Sequence, residues 1–299
     1  MRILPSVTAL VVLAVVAGAQ NPQGVPENAA KRVSEHVYAI IGFPNIAIVT
    51  GTRAVLVVDT GMGSRNGSVV VREVRKLSQT PAIYLTTTHF HPEHASGEQA
   101  FPPSTLLLRP EAQQKELEEH GTEFIQLFSR SAANRELLKD VTFRNPDIVF
   151  ASEVTLDLGG VTARLVWWGP AHTQGDEMIF VPEDSVLIPG DIVQNKLVPN
   201  MPDASASLRG WLAILERLKN LTPRLIVPDH GPLGDGSLIG QEYAFIQDLQ
   251  KRALELKNNR VPEEDAAKRL GEEFKTRYPD WQGINNVANM VRRAYEETP

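Results

Sequence analysis

Six consecutive residues, His89-Phe90-His91-Pro92-Glu93-His94, hold three of the seven histidines of a 299-residue chain and set an acid among them. In an extended backbone successive side chains alternate between faces, so the imidazoles of His89 and His91 point the same way and can meet one cation. His94, three residues further on, suits a second direction once the chain turns into a helix, with Glu93 beside it as an oxygen donor. Imidazole nitrogen and carboxylate oxygen are donors that Zn²⁺ accepts readily. With seven histidines and 36 acids, chance produces such a pattern on the order of 5 × 10⁻⁴ times per chain of this length. Two more histidines stand in similar places: His172 follows Trp167-Trp168-Gly169-Pro170-Ala171, and His230 follows Ile226-Val227-Pro228-Asp229. All three places read as turns that follow strands, where a sheet edge can bring distant ligands to one point. Asp191, in Pro189-Gly190-Asp191, also ends an apolar run, so its carboxylate either bridges two cations or serves as a turn residue. Asp59, in Val58-Asp59-Thr60-Gly61, either orients a ligand histidine or closes a turn. His36 and His120 fall outside these places and read as surface residues.

The elements that position these residues are legible as short apolar runs split by turn signals. Val37 to Ile41 and Ile46 to Val49, joined by Gly42-Phe43-Pro44-Asn45, predict a hairpin; Ala54 to Val58 predicts a strand. Val69, Val70, Val74 and Leu77 recur at helical spacing, and strands are predicted at Ile83 to Thr87 and Thr105 to Leu108. Residues 111–139, with Phe124, Ile125, Leu127 and Phe128 at i, i+3 and i+4, predict one or two surface helices inserted over a sheet. Strands return at Ile148 to Phe150, Val154 to Leu158, Val161 to Trp167, Met178 to Val181 and Val186 to Ile188. A helix at Leu208 to Leu218, a strand at Leu225 to Val227 and helices from about Leu238 complete the chain. Strands with helices in both halves fit two sheets packed face to face with helices outside.

Composition narrows the chemistry. Cysteine is absent, which removes disulfides, thiolate metal sites and cysteine nucleophiles. The formal charge of −6 offers no attraction to nucleic acid or to an anionic membrane. Met1-Arg2, the apolar stretch Ile3 to Val16 and the small-x-small Ala17-Gly18-Ala19 read as an export signal over 1–19. The apolar run falls short of the roughly 20 residues that span a bilayer. A secreted or periplasmic protein with no stable membrane association after cleavage is expected.

The ordered motifs resemble the metallo-β-lactamase-fold hydrolase superfamily. They are Asp59-Thr60-Gly61, His89-x-His91-x-Glu93-His94, Gly169-Pro170-Ala171-His172-Thr173 with Gly175-Asp176, Gly190-Asp191, and Pro228-Asp229-His230-Gly231-Pro232. The resemblance covers about residues 33–240 and leaves 241–299 as a helical extension packed on that domain. It implies an α/β, four-layered αβ/βα sandwich with two zinc ions at one edge. One ion is assigned to His89, His91 and His172, the other to Glu93, His94 and His230, with Asp191 as the bridge. The family usually has Asp at the position of Glu93, whose extra methylene sets the carboxylate farther from its backbone; a weaker second metal site, or operation with one metal, follows as an expectation. The true zinc β-lactamases place Cys or Ser where this chain has Asp191, so Asp191 and the missing cysteine point to thioesterase-, lactonase- or general hydrolase-like branches.

The expected activity is hydrolysis of a β-lactam, lactone or small ester by a metal-bridging hydroxide, with Glu93 and Asp191 as catalytic residues and a small molecule as substrate. Phe43-Pro44 at the hairpin tip is read as an apolar flap, and Trp167-Trp168 as rim or core. An iron-dependent persulfide dioxygenase, a phosphodiesterase and a non-catalytic metal-binding protein are the alternatives on this fold. The acidic balance opposes a phosphodiesterase, and the presence of both Glu93 and Asp191 opposes a single-metal site.

Overall fold

The computed structural model describes residues 24–79, 82–201 and 204–297, so the expected export signal lies outside the described residues. A seven-stranded sheet takes, in spatial as in chain order, β1 (Ala30–Arg32), β2 (Val37–Ile40), β3 (Ile46–Thr50), β4 (Val55–Val58), β5 (Ile83–Thr86), β6 (Leu106–Pro110) and β7 (Ile148–Phe150). A five-stranded sheet takes β8 (Glu153–Asp157), β9 (Thr162–Trp167), β10 (Glu177–Val181), β11 (Val186–Ile188) and β12 (Leu225–Ile226), in spatial order β12-β11-β10-β9-β8. The helices are α1 (Gly63–Leu77), α2 (Pro92–Ala95), α3 (Glu111–Phe128), α4 (Ala132–Leu138), α5 (Leu208–Leu218), α6 (Ser237–Asn258), α7 (Glu263–Arg277) and α8 (Val287–Glu296).

Alternation along each strand builds the layers. Ala47, Val49, Leu56 and Val58 turn toward Ile179, Val181, Val186 and Ile188 of the other sheet, forming one core between the sheets. Their chain neighbours Ile46, Ile48, Val55 and Val57 face outward and pack with Val70, Val71 and Val74 of α1. On the far side, Met178 and Leu187 join Trp211 and Leu215 of α5, Phe245 of α6 and Met290 of α8. The result is helix, sheet, sheet, helix, the expected four-layered sandwich. α5 begins where predicted because Ser207 caps it, its hydroxyl accepting the Gly210 N–H at 3.0 Å. α6 runs continuously across residue 240, the position where the motifs place the end of the domain. Among the described residues no helix is long and apolar enough to cross a membrane.

Strand direction explains where the chemistry gathers. β4 runs parallel to β5. β9 and β11 are both antiparallel to β10, and β12 is parallel to β11, so all three end at the same edge of the second sheet. Asp59 follows β4, His89 follows β5, His172 follows β9, Asp191 follows β11 and His230 follows β12. Because β3 is antiparallel to β4, the β2–β3 turn also lies there, beside Asp59.

Glu177 ties the sheets together beneath this edge. Its N–H donates to the Thr88 carbonyl at 2.7 Å, and its carboxyl oxygens lie 2.9 and 2.8 Å from the Thr86 hydroxyl, itself 3.1 Å from the Leu108 carbonyl. One hydroxyl proton cannot serve three oxygens; a protonated Glu177 donating to Thr86, which then donates to Leu108, satisfies all of them. Burial, partly opposed by Thr86, holds this carboxyl well above the usual glutamate range. The unfolded chain ionises at the ordinary value, so the acid's contribution to stability is full below that value and is lost as pH rises toward the folded one. Glu177→Gln, which keeps the shape without the ionisation, is expected to gain on the parent in denaturant midpoint as pH rises from about 5 to about 8. Parallel pH profiles would contradict the protonated assignment.

Candidate metal centre

Three ring nitrogens converge between the two sheets. Nε2 of His89 lies 3.0 Å from Nδ1 of His91, which lies 3.2 Å from Nε2 of His172. His89 and His91 lie in a bend after β5 and not in the extended backbone expected from their spacing, and Pro92 at the first turn of α2 then swings Glu93 and His94 to a second direction. The His172 turn is set by Asp176, which accepts the N–H groups of Ala171 and Thr173 at 3.1 and 2.9 Å. His172 donates from Nδ1 to the Asn200 carbonyl at 2.8 Å, leaving the Nε2 lone pair for the cluster.

A second set adjoins the first. Donor atoms of Glu93, His94 and His230 lie within 4.8 Å of one another, and so do those of His89, His94 and Asp191. Asp191 stands between the two sets: Oδ2 is 3.4 Å from His172 Nε2 and Oδ1 is 3.2 Å from His230 Nε2. Its turn depends on Gly190 at φ +64°, where an added Cβ would sit 2.9 Å from the Thr88 Cβ. Asp59 adopts φ +69°, held by its own N–H on the Thr86 carbonyl and by its Oδ1 accepting the Thr88 N–H at 2.8 Å. From there its Oδ2 reaches His94 Nδ1 at 3.1 Å. Asp229, not singled out in the sequence, brings a second carboxylate to within 3.3 Å of the same nitrogen and accepts the Thr88 hydroxyl proton at 2.7 Å. The motif Pro228-Asp229-His230 carried that signal, since an acid beside a ligand is well placed to orient a neighbour.

This donor set fits a metal ion. Nitrogen lone pairs facing one another at hydrogen-bond distance repel unless a proton or a cation lies between them, and His89, His91 and His172 present three. Burial, reinforced by the neighbouring histidines, holds His89 and His91 well below the usual histidine range, keeping them as neutral donors. His94 Nε2, Glu93 Oε2 and Asp191 Oδ1 are buried without a hydrogen-bond partner, a costly state that coordination relieves. Burial also pushes the Glu93 carboxyl up to about 7 against the pull of His94. His94, despite burial, is held well above the ordinary value by Asp59 and Asp229; the two carboxylates hold the proton on Nδ1, and a cation at Nε2 would take the place of the second proton.

The metallo-beta-lactamase superfamily model matches residues 40–230 of this sequence. The chain belongs to the metallo-β-lactamase superfamily. A linear primary-alkylsulfatase from a Pseudomonas species is 25% identical over 219 residues, covering 62% of this chain and 40% of that protein. A metallo-beta-lactamase type 2 from a Bacillus species is 21% identical over 200 residues, covering 65% of this chain and 69% of that protein. Among solved structures, a metallo-beta-lactamase from Pontibacter korlensis matches with a TM-score of 0.60 and 21% identity, over 73% of this chain and 98% of its own. The inverting sec-alkylsulfatase Pisa1 from Pseudomonas sp. matches with a TM-score of 0.69 and 14% identity, over 90% of this chain and 50% of its own. This superfamily member therefore spans half or less of the length of the alkylsulfatases it resembles.

Beside the metal centre this metallo-β-lactamase-fold protein has a cavity of about 260 Å³, bordered by His91, Glu93, His172, Asp191 and His230. Phe43 forms part of its wall and stacks on His230 with ring centroids 4.1 Å apart. The hairpin tip is a fixed wall more than a flap: Asn45 donates to the carbonyls of Pro228 at 2.7 Å and Gly231 at 2.9 Å and accepts the Gly42 N–H. Phe124, Leu127 and Phe128 of α3 supply another wall, and Phe124 stacks on His91 at 4.5 Å. The segment expected to be a surface insertion thus builds the site, and its i, i+3, i+4 apolar pattern was the available signal. Trp167 and Trp168 do not line the cavity; Trp167 Nε1 donates to the Gln174 carbonyl, and Arg217 packs over the Trp168 ring. His36 is no plain surface residue either, since its Nδ1 lies 2.8 Å from Asp184 and helps clasp the two halves.

Proposed function

We propose that this protein is an exported two-zinc hydrolase that cleaves the carbonyl bond of a lactone, lactam or small ester. The observation that carries the reading is the placement of Asp191 between two convergent donor sets at the foot of a cavity. His89, His91 and His172 would hold one ion, and Glu93, His94 and His230 the other. Bound zinc supplies Lewis acidity and brings water close to deprotonation at neutral pH. Glu93, which belongs to the second donor set and borders the cavity, is the group placed to move the proton. The water oxygen bonds to the carbonyl carbon, the bond from that carbon to the leaving atom breaks, and Glu93 passes the water's proton to the leaving atom. Asp59 and Asp229 keep His94 in one tautomer throughout.

Removal of metal by a chelator is expected to abolish hydrolysis across a panel of lactam, lactone and ester substrates, and zinc is expected to restore it; activity indifferent to both steps would end this reading. Glu93→Asp tests the departure from the usual aspartate. Shortening the side chain withdraws the carboxylate by one carbon–carbon bond from a cluster it now reaches, so zinc affinity at that site is expected to fall about 10–100-fold with a matching loss of rate. Unchanged affinity by competition with a chelator would show that the loop does not depend on the longer side chain. N-terminal sequencing of protein made in a bacterial host is expected to begin at Gln20, reporting cleavage after Ala19.

A second reading, hydrolysis of a sulfate ester, draws support from one observation. The likeness to the sec-alkylsulfatase covers a share of the chain too large to exclude the helices after residue 240, and those C-terminal elements bring Asn286 to the cavity. A primary alkyl sulfate included in the same panel separates the two readings.

A further inference from the structure

The walls of the cavity identify what part of a substrate lies beside the metals. Its apolar residues are Phe43 from the β2–β3 turn, Phe124, Leu127 and Phe128 from α3, and Leu197 and Val198 from the loop after Asp191. Its uncharged polar residues are the amides Gln194, Asn200 and Asn286. The charged side chains on its surface are the acids Glu93 and Asp191; among the described residues no lysine or arginine lines it, and Lys196, next to Leu197, is exposed and absent from the lining. Binding an anionic group away from the metals would require its desolvation with no lysine or arginine on the walls to receive it. An alkyl or aryl group meets the opposite situation, since Leu127 on the wall is 40% exposed, apolar surface that such a group would cover. The volume of about 260 Å³ lies just below the range of about 300–1,000 Å³ usual for larger ligands, which sets the size of the group.

Resting on the hydrolase reading above, we propose that the substrate is a neutral ester or lactone whose short apolar tail sits on the Phe43, Phe124, Phe128 and Leu197 walls, and that carboxylate-bearing lactams are excluded. The chemistry is ester plus water giving acid plus alcohol, with no further reactant.

The test compares molecules that differ only in charge at the tail. With zinc-loaded protein, kcat/KM is expected to rise roughly three- to four-fold per methylene from ethyl acetate to ethyl hexanoate, and ethyl hexanoate is expected to exceed monoethyl adipate by about 100-fold or more. Calorimetry with 2-octanone and 7-oxooctanoate, which are not hydrolysed, reads the same preference without turnover, and the neutral ketone is expected to bind more tightly. Leu197→Lys should raise monoethyl adipate at least about ten-fold relative to ethyl hexanoate, and Phe128→Ser should flatten the methylene series. Monoethyl adipate within three-fold of ethyl hexanoate, tighter binding of 7-oxooctanoate, or a carboxylate-bearing β-lactam as the best substrate would overturn the proposal. If none of the carbonyl compounds is hydrolysed, or a hexyl sulfate outruns them ten-fold, the carbonyl reading falls, and the ketone pair still decides the tail preference.

Discussion

Asp191→Asn is expected to lower hydrolysis by about 10³-fold or more and to reduce bound zinc from two equivalents toward one. The carboxylate presents one oxygen to His172 at 3.4 Å and the other to His230 at 3.2 Å, so it serves both donor sets with a single side chain. Asparagine keeps the size and one oxygen but replaces the other with an amide nitrogen that has no lone pair to give. The change would also remove the negative charge available to offset two dications. His172 reports the same charge: burial alone would lower it, and Asp191 is the leading influence that raises it. Loss of Lewis acidity at one ion is worth several kcal/mol, and each 1.36 kcal/mol is ten-fold in rate. Metal analysis and kcat on the same preparation check the prediction, and a variant with two zinc ions and parental kcat would contradict it.

Asp59→Asn is expected to weaken zinc binding at the His94 site by about 10–100-fold while leaving the fold intact. Asparagine tolerates the left-handed backbone at φ +69° better than most residues, so the substitution isolates the charge from the strain. Its amide can turn an N–H toward His94 Nδ1, which shifts the imidazole proton to Nε2, the atom that faces the metal centre. Asp229 lies 3.3 Å from the same ring nitrogen and holds the correct tautomer in part, so the double variant Asp59→Asn/Asp229→Asn is expected to lose much more than either single change. Competition with a fluorescent chelator measures both. Equal affinities for parent and double variant would remove the two carboxylates from any part in positioning His94.

The ligand candidates were legible because each follows a short apolar strand, and the layer order followed from alternation, as Ile46 and Ile48 show by facing α1 while Ala47 and Val49 face the second sheet. What sequence did not reveal was which distant segments complete the cavity. Phe124 and Phe128 stand some thirty residues beyond His94, and Asn286 over fifty beyond His230, so no local period links them to the metals; only the packing of α3 and the C-terminal helices does. Trp167 and Trp168 illustrate the converse. They immediately precede the His172 turn, yet Trp167 is spent on the Gln174 carbonyl and Trp168 stacks under Arg217 of α5. Proximity in sequence to a ligand says little when a glycine, here Gly169 at φ +113°, redirects the chain between them. Asp59 and Asp229 show a third limit: two carboxylates converge on one imidazole from strands of different sheets, a pairing fixed by sheet stacking and invisible in either motif alone.

On the proposed function, seven side chains, His89, His91, Glu93, His94, His172, Asp191 and His230, would hold two metal ions that share Asp191. Metal content per chain, measured by elemental mass spectrometry on purified protein dialysed against metal-free buffer, tests it most directly. Two equivalents of zinc in the parent, falling toward one in Asp191→Asn, is the predicted result. A parent that hydrolyses its substrates with no bound metal, or an Asp191→Asn variant that retains both ions, would contradict the account.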